Sequence, residues 1–528
     1  MDYSTGNENW QTSKPADLQR ITVDIPRRFS RLQMNAVDHI KGAHTHAMRN
    51  SRWLRSSLAR LLPLLLLAGL FSGADAAGPH LTTQTNDPLF GDQWNLYDPD
   101  SAGQAITPDI NAPTAWDITT GTFETVIAVL DSGVDLDHPD LSSKIWTNDD
   151  EIPDNGIDDD NNGKVDDING WDFVENDNRP QDEDGWGTFM AGIAGAATNN
   201  GIGISGIAWN TPIMPVRVLT RDDVGQATAR MDDIVAGIRY AVDNGARIIL
   251  LGFYVEEWNL TAAQRAALEE AISEADSAGV LLVAPVGDHG LAGNPTVYPA
   301  ALPAVMGVTA TDRNRERLPA AGHGSFVDIA APGVNLRSLL PEGRYDPPAS
   351  GTEFAAPHVA GVAALIWAVN PSLTADQVRD FMRETADDLG MPGYDEFFGF
   401  GLLNAAMALQ ATPHLLQITP HELHFLVNEF GVISPPSQRI INPNTGGLTW
   451  QARTQAKWLV IEGLSETTPS SVTVTVDLST IPNCGRYAGQ IIVESNQRNR
   501  ANGEQVVDVI LEFAKATCEH AYMPILKR

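Results

Sequence analysis

Between Asp149 and Asp184 the chain is crowded with carboxylates, and within that stretch lies Asp158-x-Asp160-x-Asn162-Gly163-Lys164-x-Asp166. This is the spacing of a calcium loop. Asp158, Asp160, Asn162 and Asp166 stand at the first, third, fifth and ninth positions, the backbone carbonyl of Lys164 at the seventh, and Gly163 at the sixth for the sharp turn. The twelfth position holds Asn169 in place of a bidentate glutamate, so weaker or differently completed coordination is expected. A solvated acidic loop is the alternative. Two further carboxylates stand where chain geometry favours chemistry. Asp131 closes an apolar run that reads as a strand, and ligands of open parallel sheets gather at the carboxyl ends of strands. Glu353 follows Thr352 at the head of an apolar helical stretch, where an acidic side chain is favoured by about 0.3–1 kcal/mol.

The elements that must position these groups alternate in type. Residues 125–130, 248–251 and 280–284 are short apolar runs of strand length, whereas 231–244 and 261–278 have helical periodicity. Thr261 with Gln264, and Thr374 with Gln377, have capping-box spacing and mark two helix starts. Such alternation over residues 86–411 predicts an α/β sandwich with a largely parallel sheet. Beyond it, short alternating runs at 423–427, 472–476, 487–495 and 506–513 predict an all-β sandwich over 412–516, with a tail at 517–528. Trp450 and Trp458 are expected in the core of that module.

The chain has 528 residues, room for more than one domain, and a net charge of −32, which argues against phosphate-mediated nucleic-acid binding. Arg52, Arg55 and Arg60 precede the apolar run 61–71, and Ala74-Asp75-Ala76 follows it. This reads as a signal peptide over 48–76, begun at Met48 and cleaved near Ala76, with 1–47 as an upstream extension and 77–85 as a linker. No second apolar run of membrane length follows, so a secreted, extracellular product without a membrane span is expected. Export permits a disulfide between Cys484 and Cys518; two unpaired thiols are the alternative.

Several segments occur in the order found in subtilisin-like serine proteases, and the region 86–411 resembles that family, in its thermitase-like branch. They are Asn86-Asp87-Pro88-Leu89-Phe90; Asp131-Ser132-Gly133-Val134-Asp135 with His138-Pro139-Asp140-Leu141; Gly185-Trp186-Gly187-Thr188-Phe189-Met190-Ala191-Gly192; Gly287-Asp288-His289-Gly290; Ala331-Pro332-Gly333; and the run from Gly351 to Gly361. The resemblance implies a subtilisin-like three-layer sandwich, and the C-terminal region resembles Ig-like modules. It also implies roles at four positions: Asp131 matches the aspartate that orients the base, Trp186 stands at the base, Asp288 at the oxyanion-stabilising amide and Glu353 at the serine nucleophile. An indole cannot take a proton at neutral pH, and a carboxylate neither attacks as serine does nor stabilises an oxyanion. Loss of nucleophile or base alone costs subtilisin roughly 2 × 10⁶ in turnover.

None of His138, His289, His323 and His358 stands where a relocated base is expected. By the same resemblance Gly252 lies in the substrate groove, and Tyr254 takes the place of a glycine that admits the substrate backbone. A second calcium site is implied by Asp87, Asp140, Asn200 and the carbonyls of Ile202 and Ile204. The expectation is therefore a secreted, calcium-stabilised pseudoprotease acting as a binding or structural scaffold, with an extracellular protein, peptide or glycan as the ligand in the binding case. Two alternatives stay open: an active serine endopeptidase with its groups differently aligned, and a carboxylate-based hydrolase using Asp131 and Glu353, for which Asp131, Asp288 and Glu353 would converge.

Overall fold

A computed structural model describes residues 20–23, residues 83–413 apart from 102, 103, 105 and 346, and most of 418–513. The expected signal peptide, the tail and Cys518 lie outside the described residues. Seven apolar runs form one sheet: β1 (Ile127–Asp131), β2 (Trp171–Asp172), β3 (Ile213–Arg217), β4 (Ile248–Leu251), β5 (Leu281–Pro285), β6 (Val305–Thr311) and β7 (Ile329–Pro332). Their order is β7-β6-β5-β4-β1-β3-β2 and every pairing is parallel. All seven are buried along their length, which explains why Ile248–Leu251 reads as a continuous apolar run with no polar alternation.

Among the described residues seven α-helices accompany the sheet: α1 (Ala112–Trp116), α2 (Trp186–Gly195), α3 (Met231–Asp243), α4 (Ala262–Ser277), α5 (Ala356–Val369), α6 (Ala375–Glu384) and α7 (Ala405–Ala411). Ala128, Leu130, Ile249 and Leu251 pack in one cluster with Ile234 and Ile238 of α3 and Leu268 and Ile272 of α4. Strand residues one position away point to the opposite face, where α2 and α5 pack on each other and on β1, β4 and β5. The result is helix, sheet, helix. Both expected capping boxes are formed: Thr261 and Thr374 accept the backbone N–H of Gln264 and Gln377, whose side chains bond back. The stretch Thr352–Val369 is long and apolar enough to cross a bilayer, yet 94% of it is buried inside the protein, as expected of a helix apolar on every side.

Sequence order reverses at β1, which lies between β4 and β3. Its carboxyl end and that of β4 therefore open the crevice in which α/β sheets place ligands, with Asp131 and Gly252 at its floor.

In the C-terminal region, strands form one sheet of six and another of three. Most pairings are antiparallel, with Glu422–Val427 and Glu504–Phe513 parallel. Leu423, Phe425, Val474 and Leu511 fill its core together with Trp450 and Trp458, and the Trp450 indole donates to Ser470 Oγ at 2.8 Å. Cys484 is partly buried. Residues 20–23, which the sequence reading left outside the domain, belong with it: Ile21–Thr22 pairs with Ala227–Ala229.

Candidate functional site

Asp131 is held at the end of β1, fully buried. Its Oδ1 accepts the Ser132 N–H at 2.6 Å, while Oδ2 has no hydrogen-bond partner among the described residues. Glycine is required opposite it, because a Cβ on Gly252 would overlap Asp131 Oδ2 and the Met190 methyl. Burial pushes this carboxyl well above its ordinary range, outweighing the Ser132 amide, and the nearby Asp182 and Asp184 push the same way. Asp182 is buried too, but it accepts from Ser132 Oγ, Thr188 Oγ1 and the N–H groups of Gly185 and Thr188.

Trp186 begins α2 after Gly185, whose φ of 99° lies in the left-handed region open to glycine. The next residue, Gly187, sits so close to Gly133 that a Cβ would overlap the Gly133 carbonyl, which ties the helix start to the turn after β1. The indole is 3% exposed and stacks on Phe354, with ring centroids 5.5 Å apart and 30° between planes. Phe354 also meets Phe189 at 4.6 Å. Nothing at position 186 accepts a proton, and the ring pair joins the start of α2 to the start of α5.

Glu353 lies in a 3-10 turn, Thr352–Phe354, just before α5, and is 1% exposed. Its carboxyl hydrogen-bonds Asp288, whose Oδ1 also accepts the Thr352 N–H at 3.2 Å. A Cβ on Gly351 would stand 2.5 Å from Glu353 Oε2 and 3.1 Å from Asp288 Oδ2, so this glycine leaves the space the two carboxyls use. Two carboxyl groups bond to each other only when one holds a proton. Burial raises Asp288 to about 6, against the pull of Thr352, His289 and Glu353.

The three expected carboxylates do not converge. Asp288 and Glu353 are brought together, but Asp131 joins no cluster of three possible metal-ligating groups with them among the described residues. Tyr254 is 3% exposed, its ring against His289 (5.8 Å, 81°) and close to Gly287. His289 Nδ1 meets Glu256 Oε1 at 2.7 Å, at the short antiparallel pairing of Val255–Glu256 with Val297–Tyr298. The other histidines are occupied by structure. His358 is fully buried between Asn95 and the Phe354 carbonyl, and burial takes it down to about 4; the His138 ring accepts the Asp140 N–H; His323 lies beside Asn294 and Phe397.

In the acidic loop the structure gathers a different set from the expected one. Glu151, Asp160 and Asp167 each bring a carboxylate oxygen within 4.8 Å of the others. Asp160 alone comes from the expected ligands. Asp158 accepts the N–H groups of Asn162 and Gly163 and so closes the turn, and Asp166 accepts those of Asn155 and Gly156 on the neighbouring loop. Asn162 bridges to Asp160 and Asp167 through its amide, its oxygen accepts the Lys164 N–H, and the Lys164 ammonium lies over Trp171 and Phe173. Three hard oxygen donors, two of them buried, fit a divalent cation that prefers carboxylates. Glu151 precedes the motif and Asp167 follows its ninth position, so a fixed loop register misses both.

At the other expected metal site, Asp87 accepts the N–H groups of Asn199 and Asn200 and the Ser205 hydroxyl. Asp140 accepts the Asn200 amide at 2.7 Å and the Ile204 N–H at 2.9 Å, and burial raises it to about 6. Asn200 Oδ1 accepts the Ile202 N–H. The two aspartates thus hold the 199–205 loop from both sides.

Comparison with known proteins gives the fold its context. Residues 123–401 match the Subtilase family, Peptidase S8. Thermitase of Thermoactinomyces vulgaris is 36% identical over 326 residues, 62% of this chain and 99% of the relative. A thermophilic serine proteinase of Bacillus sp. (strain AK1) is 35% identical over 61% of this chain and 71% of the relative. Among solved structures, a protease from Pseudoalteromonas arctica PAMC 21717 superposes with a TM-score of 0.50 at 28% identity, covering 63% of this chain and all of the other.

Proposed function

The chain belongs to the subtilase family, and on that premise we propose that it is a secreted, calcium-stabilised pseudoprotease whose subtilisin-like domain serves as a binding scaffold, followed by an Ig-like module. The observation that carries this reading is the Trp186–Phe354 stack, with the buried Glu353 carboxyl next to Asp288. Serine chemistry needs a hydroxyl nucleophile, a proton acceptor next to it and donors aimed at the oxyanion. At the corresponding positions stand a buried carboxyl next to a second carboxyl, and an indole packed into the core. Tyr254, at the position expected to border the substrate groove, is buried as well, which supports the same reading.

Calcium is proposed at Glu151, Asp160 and Asp167, with the loop held by Asp87 and Asp140 as a second site. A bound cation supplies positive charge that neutralises clustered carboxylates, locking loops outside the cell where the ion is plentiful. The chain's own part is to present those oxygens on turns fixed by Asp158, Asp166 and Asn162.

Incubation of the purified chain with a fluorophosphonate probe and with unstructured peptides tests the reading. Neither labelling nor cleavage is expected. Serine labelling together with cleavage would overturn it in favour of a serine endopeptidase. Cleavage without labelling, abolished by Glu353→Gln, would assign a hydrolase to the carboxyl pair.

A further inference from the structure

A second cavity lies where the chain leaves β6 and β7, with β5 between those strands and the crevice at β4 and β1. The turn after Thr311 and the segment after Pro332 form two of its walls, and residues 91–100 form the third. Asp131, Trp186, Tyr254, Asp288 and Glu353 are not among its lining. Its volume of about 600 Å³ is that of a small-ligand site. The walls are pinned to one another. Arg313 donates to both oxygens of the buried Asp98 and to Asp100 Oδ2 at 2.9 Å, which ties the turn after β6 to the 3-10 turn Pro99–Ser101. Arg337, in the segment after β7, meets Asp92 at 3.3 Å. Asp312 closes its own turn by accepting the N–H groups of Asn314 and Glu316. A site held in this way has little freedom left to lose on binding.

The lining mixes three kinds of surface. Trp94, Tyr97 and Pro348 supply aromatic and aliphatic area, Asn335 and Arg337 supply donors, and Asp92 and Asp100 supply acceptors. The Tyr97 hydroxyl and the Asn335 side chain have no hydrogen-bond partner among the described residues, so both can bond a ligand. Charge decides what kind of ligand. Both guanidinium groups already face carboxylates, and the chain carries a net charge of −32, so the cavity has no uncompensated positive charge with which to hold an anion. A neutral polyol needs none. Each of its hydroxyls donates and accepts at once, matching walls that carry both functions, and a pyranose ring offers an apolar face to an aromatic side chain. We propose that this cavity binds a short neutral oligosaccharide, one ring packed on Tyr97, with hydroxyls donating to Asp92 and Asp100 and accepting from Asn335. This names a ligand class for the scaffold and rests on that reading for its purpose; the cavity itself is present whether or not the chain cleaves peptides.

The probes are cellotriose, maltotriose and triacetylchitotriose, each titrated into the full chain and followed by saturation-transfer NMR, with trigalacturonate as an anionic counterpart. Saturable binding of at least one neutral trisaccharide is expected, and none of trigalacturonate. Gly91 lines the cavity, and a Cβ built on it meets no atom within 4 Å, so Gly91→Tyr places a ring in the space without disturbing the packing. That variant is expected to keep its melting temperature and to bind the trisaccharide about ten-fold or more weakly, and Tyr97→Ala is expected to lose as much. Should Tyr97→Ala fail to fold, Tyr97→Phe removes the hydroxyl alone and is expected to weaken binding by a smaller factor. No saturable binding of any of the three, preference for trigalacturonate, or unchanged binding by folded Gly91→Tyr would each overturn the proposal. Serine labelling with peptide cleavage would overturn the pseudoprotease reading and leave this one standing, so the two fail separately.

Discussion

Replacing Asp131 by asparagine isolates one buried proton. In the native fold Asp131 is fully enclosed, Oδ1 takes the Ser132 amide, Oδ2 faces Met190 and the Gly252 backbone, and Asp182 and Asp184 oppose a further negative charge. Its folded pKa therefore lies above the unfolded value of about 3.9. For a raised carboxyl the sign is fixed: the unfolded chain loses its proton first, so stability is full below the unfolded pKa and falls as pH rises toward the folded one. Each pH unit over which the folded chain keeps a proton that the unfolded chain has lost costs about 1.4 kcal/mol, so the native state loses stability to this group as pH rises above the unfolded pKa. Asparagine keeps the acceptor for Ser132 and cannot ionise. Asp140, Asp182 and Asp288 are also raised by burial and tilt the same curve, but they are common to both proteins and cancel in the difference. Urea unfolding at several pH values, with calcium constant, should show Asp131→Asn near or below the unaltered chain in acid and above it near neutrality. Parallel curves would refute the reasoning, since they require Asp131 to carry the same proton folded and unfolded.

Removal of calcium by a chelator should lower the melting temperature. Glu151→Gln or Asp167→Asn should weaken calcium affinity measured by calorimetry, whereas Asp158→Asn, whose oxygens close a turn, should change it little. Trp186→Ala should cost about 3–5 kcal/mol in chemical denaturation, the range for deleting a buried large aromatic side chain; an unchanged stability would mean the indole is not packed on Phe354. Gly351→Ala forces a Cβ against Glu353 and Asp288 and should destabilise by about 1–3 kcal/mol, seen as a lower urea midpoint with unchanged slope.

Much of the scaffold was legible because its signals are local. Residues 248–251 read as a strand from an unbroken aliphatic run, and the Thr261 and Thr374 capping boxes announced their helices within four residues. The family of residues 86–411 was legible from short motifs in a fixed order, and the matched span 123–401 lies inside that range. What escaped was contact between distant segments. Position-by-position reading could suppose three carboxylates meeting, but not that Glu353 would bond Asp288 while Asp131 turned toward Met190. Calcium-loop spacing assumes side chains directed at one centre, and here hydrogen bonds from Asn162 and Gly156 redirect Asp158 and Asp166. The strand at Ile21–Thr22 carried no signal of its own, because two residues have no periodicity and their partner lies some two hundred positions away.

The stack of Trp186 on Phe354 also bears on descent. An imidazole in place of the indole would leave part of the volume against Phe354 and Phe189 empty, and a void in a packed core costs stability before any other position has changed. On the proposed reading, a return to serine chemistry would then begin with a less stable protein that still lacks a hydroxyl at position 353. Packing of this kind works as a ratchet: once an aromatic ring has been accommodated, the path back passes through a chain that selection for either stability or proteolysis would discard.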